Sequence, residues 1–376
     1  MKVKFFLFVI IISICFGFCQ SISLWTSWED EGFYREIAQN YYEETGIEVL
    51  ITNFPKISEK INLSLKTDDL PDISMISDNM ISSLYYSDKT VALTIEEMNK
   101  VGNFKEKDIE GFSYLDKILG IPFYSDENAA IVNSDLFDEM NVELPPENFT
   151  FDYLNDASET FKENGKNIIG WEFFYPFILY SYIEAYGGLI QDDNPTFNIE
   201  ENKIVLKEIK DLFDEDVAVR LERGIQPDKF LNDDVGIILQ GTFILPLLEN
   251  KNFKAYSLPK FDSDINIPTL IDAKGFSLFN IDKKELCLDF IKYILENGDE
   301  FCINNIKVPL YDYLKVPEEL KQLYKIHESG VYFTKNPSLQ GIYKKVMKQT
   351  LQAIYSGSIS IDEGLDSAQE FAEKNW

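Results

Sequence analysis

Three observations predict an α/β fold in two lobes. Residues 21–51 read strand–helix–strand, the repeating unit of a parallel sheet with helices across its faces. Apolar strands keep alternating with amphipathic helices along a chain of 376 residues, long enough for two domains of about 150 residues each. One stretch breaks the pattern: Tyr124-Ser125-Asp126-Glu127-Asn128, a dense polar cluster directly before the apolar run Ala129-Ala130-Ile131-Val132. Apolar residues in so short a run fit a strand covered on both faces. Polar side chains on its approach suggest a strand passing along a cleft.

The elements follow in order. Ser21 to Leu24 alternates serine and apolar residues and ends in Leu24-Trp25, a strand. After a loop over 26–32, Tyr34, Ile37, Ala38 and Tyr41 fall at i, i+3, i+4 and i+7, one face of a helix that Gly46 stops at C′. Residues 47–51 form the next strand, and Leu70-Pro71-Asp72 turns into a third at 73–76. Residues 80–118 mix helix and loop. Gly120 and Pro122 open the central stretch, Ser134 is positioned to cap a short helix, and Pro145-Pro146 leads to a helix with Thr150 at its N-cap. That helix carries Phe151, Leu154, Ser158 and Phe161 and closes at Gly165. A short strand at 168–171, an aromatic helix at 177–186 ended by Gly187-Gly188, and a charged amphipathic helix at 204–219 come next. Strands are predicted at 235–239, 256–259 and 275–279, with a return at 268–273, and helices dominate from 283 onward. Neither an internal repeat nor a low-complexity linker separates the halves, so the domains communicate through several short crossings.

Residues 1–19 read as a secretion signal. Lys2 and Lys4 precede an apolar run from Phe5 to Phe18, too short for the ~20 residues of a membrane span. Gly17 and Cys19 suit cleavage after Cys19; the second reading is a lipid anchor at Cys19. Either way the expected location is outside the cytoplasmic membrane, in the periplasm or its equivalent. Loss of Lys2 and Lys4 takes the formal charge from −29 to −31, which repels phosphate backbones and excludes nucleic acid as a partner. The arginines are Arg35, Arg220 and Arg223. Bidentate recognition of carboxylate or phosphate favours arginine, so an anionic ligand is disfavoured as well. Of Cys15, Cys19, Cys287 and Cys302, the first two lie in the signal. Cys287 shares a helical face with Phe290, Ile291 and Ile294, so a buried thiol is its plain reading, and a disulfide with Cys302 the sharper one.

The order of pieces resembles the extracellular solute-binding proteins of ABC importers, in the sugar-binding family that includes maltose-binding protein. The matching stretches are ISLWTSWED, FYREIAQNYYEETGIEV, LPDISMISD, LGIPFYSDENAAIVNSDLFDEMNVELPPENFTFDYL, YIEAYGG, FLNDDVGIILQGTF and GFSLFNIDKKELCLDFIKYIL. The chain departs from the family at Phe151, where tryptophan is usual, at Val235-Gly236-Ile237-Ile238, where a small pair and a methionine are usual, and at Lys274-Gly275, where a glycine pair is usual. The resemblance implies a type II periplasmic-binding-protein fold, each lobe a mostly parallel sheet flanked by helices, with the ligand cleft between lobes. Residues 20–124 with 269–310 would form the N-terminal lobe and 129–258 with 311–376 the C-terminal one. The hinge crossings would lie near 124–128, 258–268 and 308–312. It also implies a monomer that takes no cofactor, delivers a small solute to an ABC permease in the membrane, and moves by hinge closure, of which periplasmic binding proteins are a standard example.

Ligands of open α/β sheets bind beyond the carboxyl ends of the strands. That rule selects Trp28, Glu29 and Asp30 after the first strand, Asp78 and Asn79 after the third, and Tyr124, Asp126, Glu127 and Asn128 at the crossing. It adds Trp171, Glu172 and Phe174 after the strand at 168–171, and Gln240 and Phe243 after that at 235–239. Lys274 completes the set, with a solvated lysine as its plain reading. Aromatic platforms at Trp28, Trp171 and Phe243 suit the apolar faces of sugar rings, while Asp30, Asp78, Glu127 and Gln240 suit hydroxyls. Competing readings are core packing for Trp171 and Phe243, helix-dipole acids for Glu29 and Asp30, and a helix cap for Asp78. The chain has a single histidine, His327, and neither a P-loop nor GxGxxG, which excludes Ser-His-Asp triads and histidine-rich zinc sites. Binding without chemistry is therefore expected, most simply of a carbohydrate. A cationic solute such as a polyamine is the alternative within the fold, and a paired-carboxylate glycosidase the alternative outside it.

Overall fold

A computed structural model describes residues 21–27, 31–172, 175–312 and 315–376. The residues expected to form the signal, Cys19 among them, lie outside these. Fifteen strands are described: β1 (Ser21–Thr26), β2 (Glu48–Asn53), β3 (Ile73–Ser77), β4 (Ser113–Tyr114), β5 (Lys117–Ile118), β6 (Ile121–Asn133), β7 (Asn167–Trp171), β8 (Ile190–Gln191), β9 (Asn194–Pro195), β10 (Ala218–Arg220), β11 (Val235–Gly241), β12 (Phe253–Tyr256), β13 (Leu270–Leu278), β14 (Val308–Pro309) and β15 (Val331–Tyr332). Two short hairpins, β4–β5 and β8–β9, stand apart. The others form one sheet, ordered β10-β7-β11-β6-β13-β3-β1-β2, with β12 and β14 paired to β6 and β15 to β13.

Both ends of the sheet are parallel: β2, β1 and β3 at one end, β11, β7 and β10 at the other. The antiparallel pairs of this sheet all involve β6 or β13. β6 joins the two ends. Its first half, from Ile121 to Glu127, pairs with β13, and its second half, from Asn128 to Val132, pairs with β11. Every residue of β6 except Asn128 is buried, so the polar cluster read from the sequence is a stretch of continuous strand.

The first helix runs over Glu31–Thr45, and its buried residues are Tyr34, Ile37, Ala38 and Tyr41, the four the spacing selects. Gly46 follows at φ +72°, the left-handed conformation that a C′ glycine takes without strain. One core packs around Ile22, Tyr34, Ile73, Phe123, Phe276 and Phe290. A second packs around Phe137, Phe161, Trp171, Tyr182, Leu206 and Tyr343. Cys287 and Cys302 are both buried free thiols, as the plainer reading had it.

Three local expectations need correction. Asn133, not Ser134, caps the helix Ser134–Glu139, because its side-chain oxygen accepts from the Leu136 N–H. The charged helix ends at Asp214, five residues before its predicted end at Val219. Asp216 turns at φ +56°, and the β-branched and apolar residues after it pair with β7 as β10. The strand placed at 256–259 lies earlier, at Phe253–Tyr256, where it can pair with β6.

A candidate solute cleft at the sheet crossing

A cavity of about 190 Å³ opens where β6 and β13 cross the sheet. It lies beyond the carboxyl ends of β3 and β11, as the strand-end rule requires. β3 delivers Asp78 and Asn79, β6 delivers Asp126, Glu127 and Asn128, and β11 delivers Gln240, Gly241 and, two residues further, Phe243. β13 adds Leu270, Ile271 and Asp272, while Tyr175, Phe177, Arg223 and Phe333 complete the wall. The composition is aromatic rings with a few directed polar groups, that of a small-molecule site.

The acids are held by specific partners. Asp126 is buried and sits 2.9 and 3.0 Å from Lys307 Nζ, with Thr242 Oγ1 donating at 3.4 Å. Desolvation raises its pKa against the pull of Lys307 and Lys274. Glu127 is 1% exposed; Ser125 Oγ donates to its Oε1, and His327 Nδ1 lies 3.0 Å from the same oxygen. His327 is itself buried, with Nε2 3.1 Å from Asp108 Oδ1. Burial works to lower the imidazole pKa, but the hydrogen bonds to Asp108 and Glu127 outweigh it and hold the value above the ordinary one. Asp272 is ion-paired with Lys274. Asp78, 3% exposed, accepts from the Ala273 N–H at 3.1 Å. Desolvation and the nearby Asp272 push its pKa up to about 7, against Lys274 and Lys335. The helix-cap reading of Asp78 does not hold: its carboxylate bonds across to β13 and not to the turn it opens.

Of the residues predicted from sequence, Asp78, Asn79, Asp126, Glu127, Gln240 and Phe243 meet at the cavity, together with Asn128 from the crossing. Phe243 is 40% exposed, so it is not core. Glu172 stands one step back, accepting the Arg223 backbone N–H at 2.8 Å, and Lys274 acts through Asp272. Two are corrected. Trp171 is fully buried among Tyr182 and Phe213, because the last residue of β7 points into the second core. Tyr124 is buried against Phe123 and Phe301, with Lys307 Nζ 5.7 Å from its ring centroid, and it does not line the cavity. Trp28, Glu29, Asp30 and Phe174 lie outside the described residues.

Sequence reasoning missed Tyr175, Phe177, Arg223, Asp272 and Phe333. Tyr175 and Phe177 sit in an aromatic stretch after β7, a signal open to the same strand-end rule. Arg223 follows β10, which was read as the end of a helix.

The fold is that of an ABC substrate-binding protein. The structure matches one from Listeria monocytogenes, solved in complex with cycloalternan, with a TM-score of 0.79 at 16% identity, over 94% of this chain and 98% of that one. The profile of bacterial extracellular solute-binding proteins matches residues 36–299, and the chain belongs to that family. No curated protein matches it by sequence. Among the described residues no helix is long and apolar enough to cross a membrane.

Proposed function

We propose that the chain captures a saccharide in this cleft and delivers it to an ABC permease, without chemistry of its own. The observation that carries the reading is the pairing of walls. Tyr175, Phe177, Phe243 and Phe333 offer flat apolar faces, while Asp78, Asn79, Asn128 and Gln240 offer acceptors and donors at the same cavity. Sugar rings present that combination of apolar face and hydroxyl edge. The similar Listeria protein was solved with a cyclic saccharide, which supports the class and not the particular sugar.

The lobes of the proposal are residues 20–124 with 269–310 and residues 129–258 with 311–376. Supporting the hinge, β6 passes from one set of pairings to the other at Glu127 and Asn128, and β14 meets it at Ser125 and Tyr124. The cavity is smaller than the ~300–1,000 Å³ that buries a drug-sized ligand, so an oligosaccharide enters only if the lobes part. A ligand that touches both lobes then favours the closed arrangement by its differential affinity. Paired acids speak against a polyamine: Asp126, Glu127 and Asp272 already have Lys307, His327 and Lys274.

Intrinsic fluorescence of the purified chain, titrated with mono- and oligosaccharides and with polyamines as contrast, tests the reading. A saturable change with one saccharide class is the expected result. A response to polyamines alone overturns the ligand, and reducing ends released in the same tubes overturn capture without chemistry.

A further inference from the structure

Arg223 is the exception in the charge pattern of the cleft. Three acids of the wall are matched, Asp126 by Lys307, Glu127 by His327 and Asp272 by Lys274, and the fourth, Asp78, accepts the Ala273 N–H and has its pKa pushed up to about 7 by burial and Asp272. Arg223 lines the same cavity, yet among the described residues no carboxylate is ion-paired with its guanidinium. Glu172 accepts the backbone N–H of Arg223 at 2.8 Å.

The guanidinium is nevertheless held in place. Its carbon lies 4.0 Å from the centroid of the Tyr175 ring and 5.2 Å from that of Phe243. Nε donates to Gln240 Oε1 at 3.1 Å, and Gln240 Nε2 returns to the Arg223 carbonyl at 3.4 Å. Tyr175, Gln240 and Phe243 all line the cavity with it. Two aromatic rings and an amide thus fix a planar cation that bonds Gln240 and Tyr175 and whose guanidinium has no carboxylate partner among the described residues. A solvated surface arginine needs none of this. Pre-organised arginine at a binding wall is how proteins recognise planar oxyanions, because the fork matches a carboxylate in two parallel hydrogen bonds. The chain's formal charge of −29 makes an unmatched cation here more telling. The scarcity of arginine, read from the sequence as disfavouring an anionic ligand, is outweighed by where this one stands.

We propose that Arg223 receives an oxyanion carried by the solute, so that the cleft takes an acidic saccharide, with a ring carboxylate the best match to the fork. This rests on the saccharide reading and narrows it.

Calorimetric titration of the purified chain with di- and tetrasaccharides of galacturonate and of glucuronate, each against its neutral methyl ester, tests it. A sulfated disaccharide and the unmodified neutral sugar form the remaining arms. The expected result is that the acid binds about tenfold or more tighter than its ester, the worth of a hydrogen bond to a charged group. Arg223→Gln should bring the acid-to-ester affinity ratio to about one, whatever it does to the neutral sugar, and Arg223→Lys should keep part of that ratio. The acid-to-ester ratio in the unmodified chain tests the idea even if a variant misfolds. An equal gain for the sulfated sugar supports the role of Arg223 and assigns the anion to either oxyanion source. Equal binding of acid and ester overturns the proposal and leaves saccharide capture standing. Absence of binding by any saccharide, charged or neutral, overturns the capture reading itself and this proposal with it.

Discussion

Replacing His327 by leucine removes the link between two buried carboxylates on different elements. Glu127 belongs to β6 and Asp108 to the helix Glu106–Gly111, and the imidazole bridges them at 3.0 and 3.1 Å from the helix Lys321–Glu328. Each carboxylate has one further oxygen, Glu127 Oε2 and Asp108 Oδ2, already without a hydrogen-bond partner among the described residues. Tyr332 Oη still donates to Asp108 at 2.7 Å and Ser125 Oγ to Glu127, but neither brings positive charge. Breaking a buried ion pair by deleting one partner costs about 3–5 kcal/mol. With an unfolding entropy of about 2.1 cal/mol/K per residue, a chain of this size should melt about 4–7 °C lower. Thermal denaturation at about pH 6 is the assay, because the folded pKa of His327 is raised. A raised pKa contributes stability that is complete below the unfolded value of ~6.5 and is lost as pH rises through the folded value. His327 is the sole histidine, so its imidazole resonance also gives the pKa directly by NMR. A variant that melts within about 1 °C of the parent, or an imidazole titrating at or below ~6.5, would refute the charged-linker argument.

Asp78→Asn should stabilise the chain above neutral pH and make little difference at pH 4. The raised carboxyl of Asp78 costs stability as pH climbs from its unfolded value of ~3.8 through its folded value, at about 1.4 kcal/mol per unit; melting curves against pH check this. Gly275→Ala would drive a Cβ into the Ile121 carbonyl oxygen, a backbone atom that cannot swing aside, where the β6–β13 register shifts. The expected loss lies at the top of the ~1–3 kcal/mol range for overpacking, read by denaturant unfolding. Trp171→Phe should cost only about 1–2 kcal/mol, since its buried indole N–H has no partner among the described residues, and saccharide affinity by calorimetry should not move. Phe243→Ala should weaken saccharide binding about three- to tenfold, the worth of one aromatic platform.

The sequence carried the fold further than the site. The period of Tyr34, Ile37, Ala38 and Tyr41 and the glycine after it are local signals, and local structure obeyed them. The order of strands and helices was enough to reach the family. β10 was missed because Val217, Ala218 and Val219 continue a helical run in sequence, and only pairing with β7 makes them a strand. That error hid Arg223, whose role depends on Tyr175 and Gln240 arriving from elsewhere in the chain. Asp78 and Gln240 were legible because strand ends are predictable, and Asp126 because its polar cluster stands directly before the apolar run at 129–132. Trp171 was not, because whether a strand's last side chain faces the cleft or the core depends on alternation, and a shift of one residue reverses it. Phe333 follows β15, two residues that only their pairing with β13 makes a strand, so nothing local marks it.

Small-angle X-ray scattering of the purified chain, with and without a saturating concentration of the saccharide that titrates it, tests capture by closure most directly. The account predicts a smaller radius of gyration with saccharide bound, with Phe243→Ala needing more saccharide to reach the same change. Saturated binding that leaves the scattering profile unchanged would contradict it.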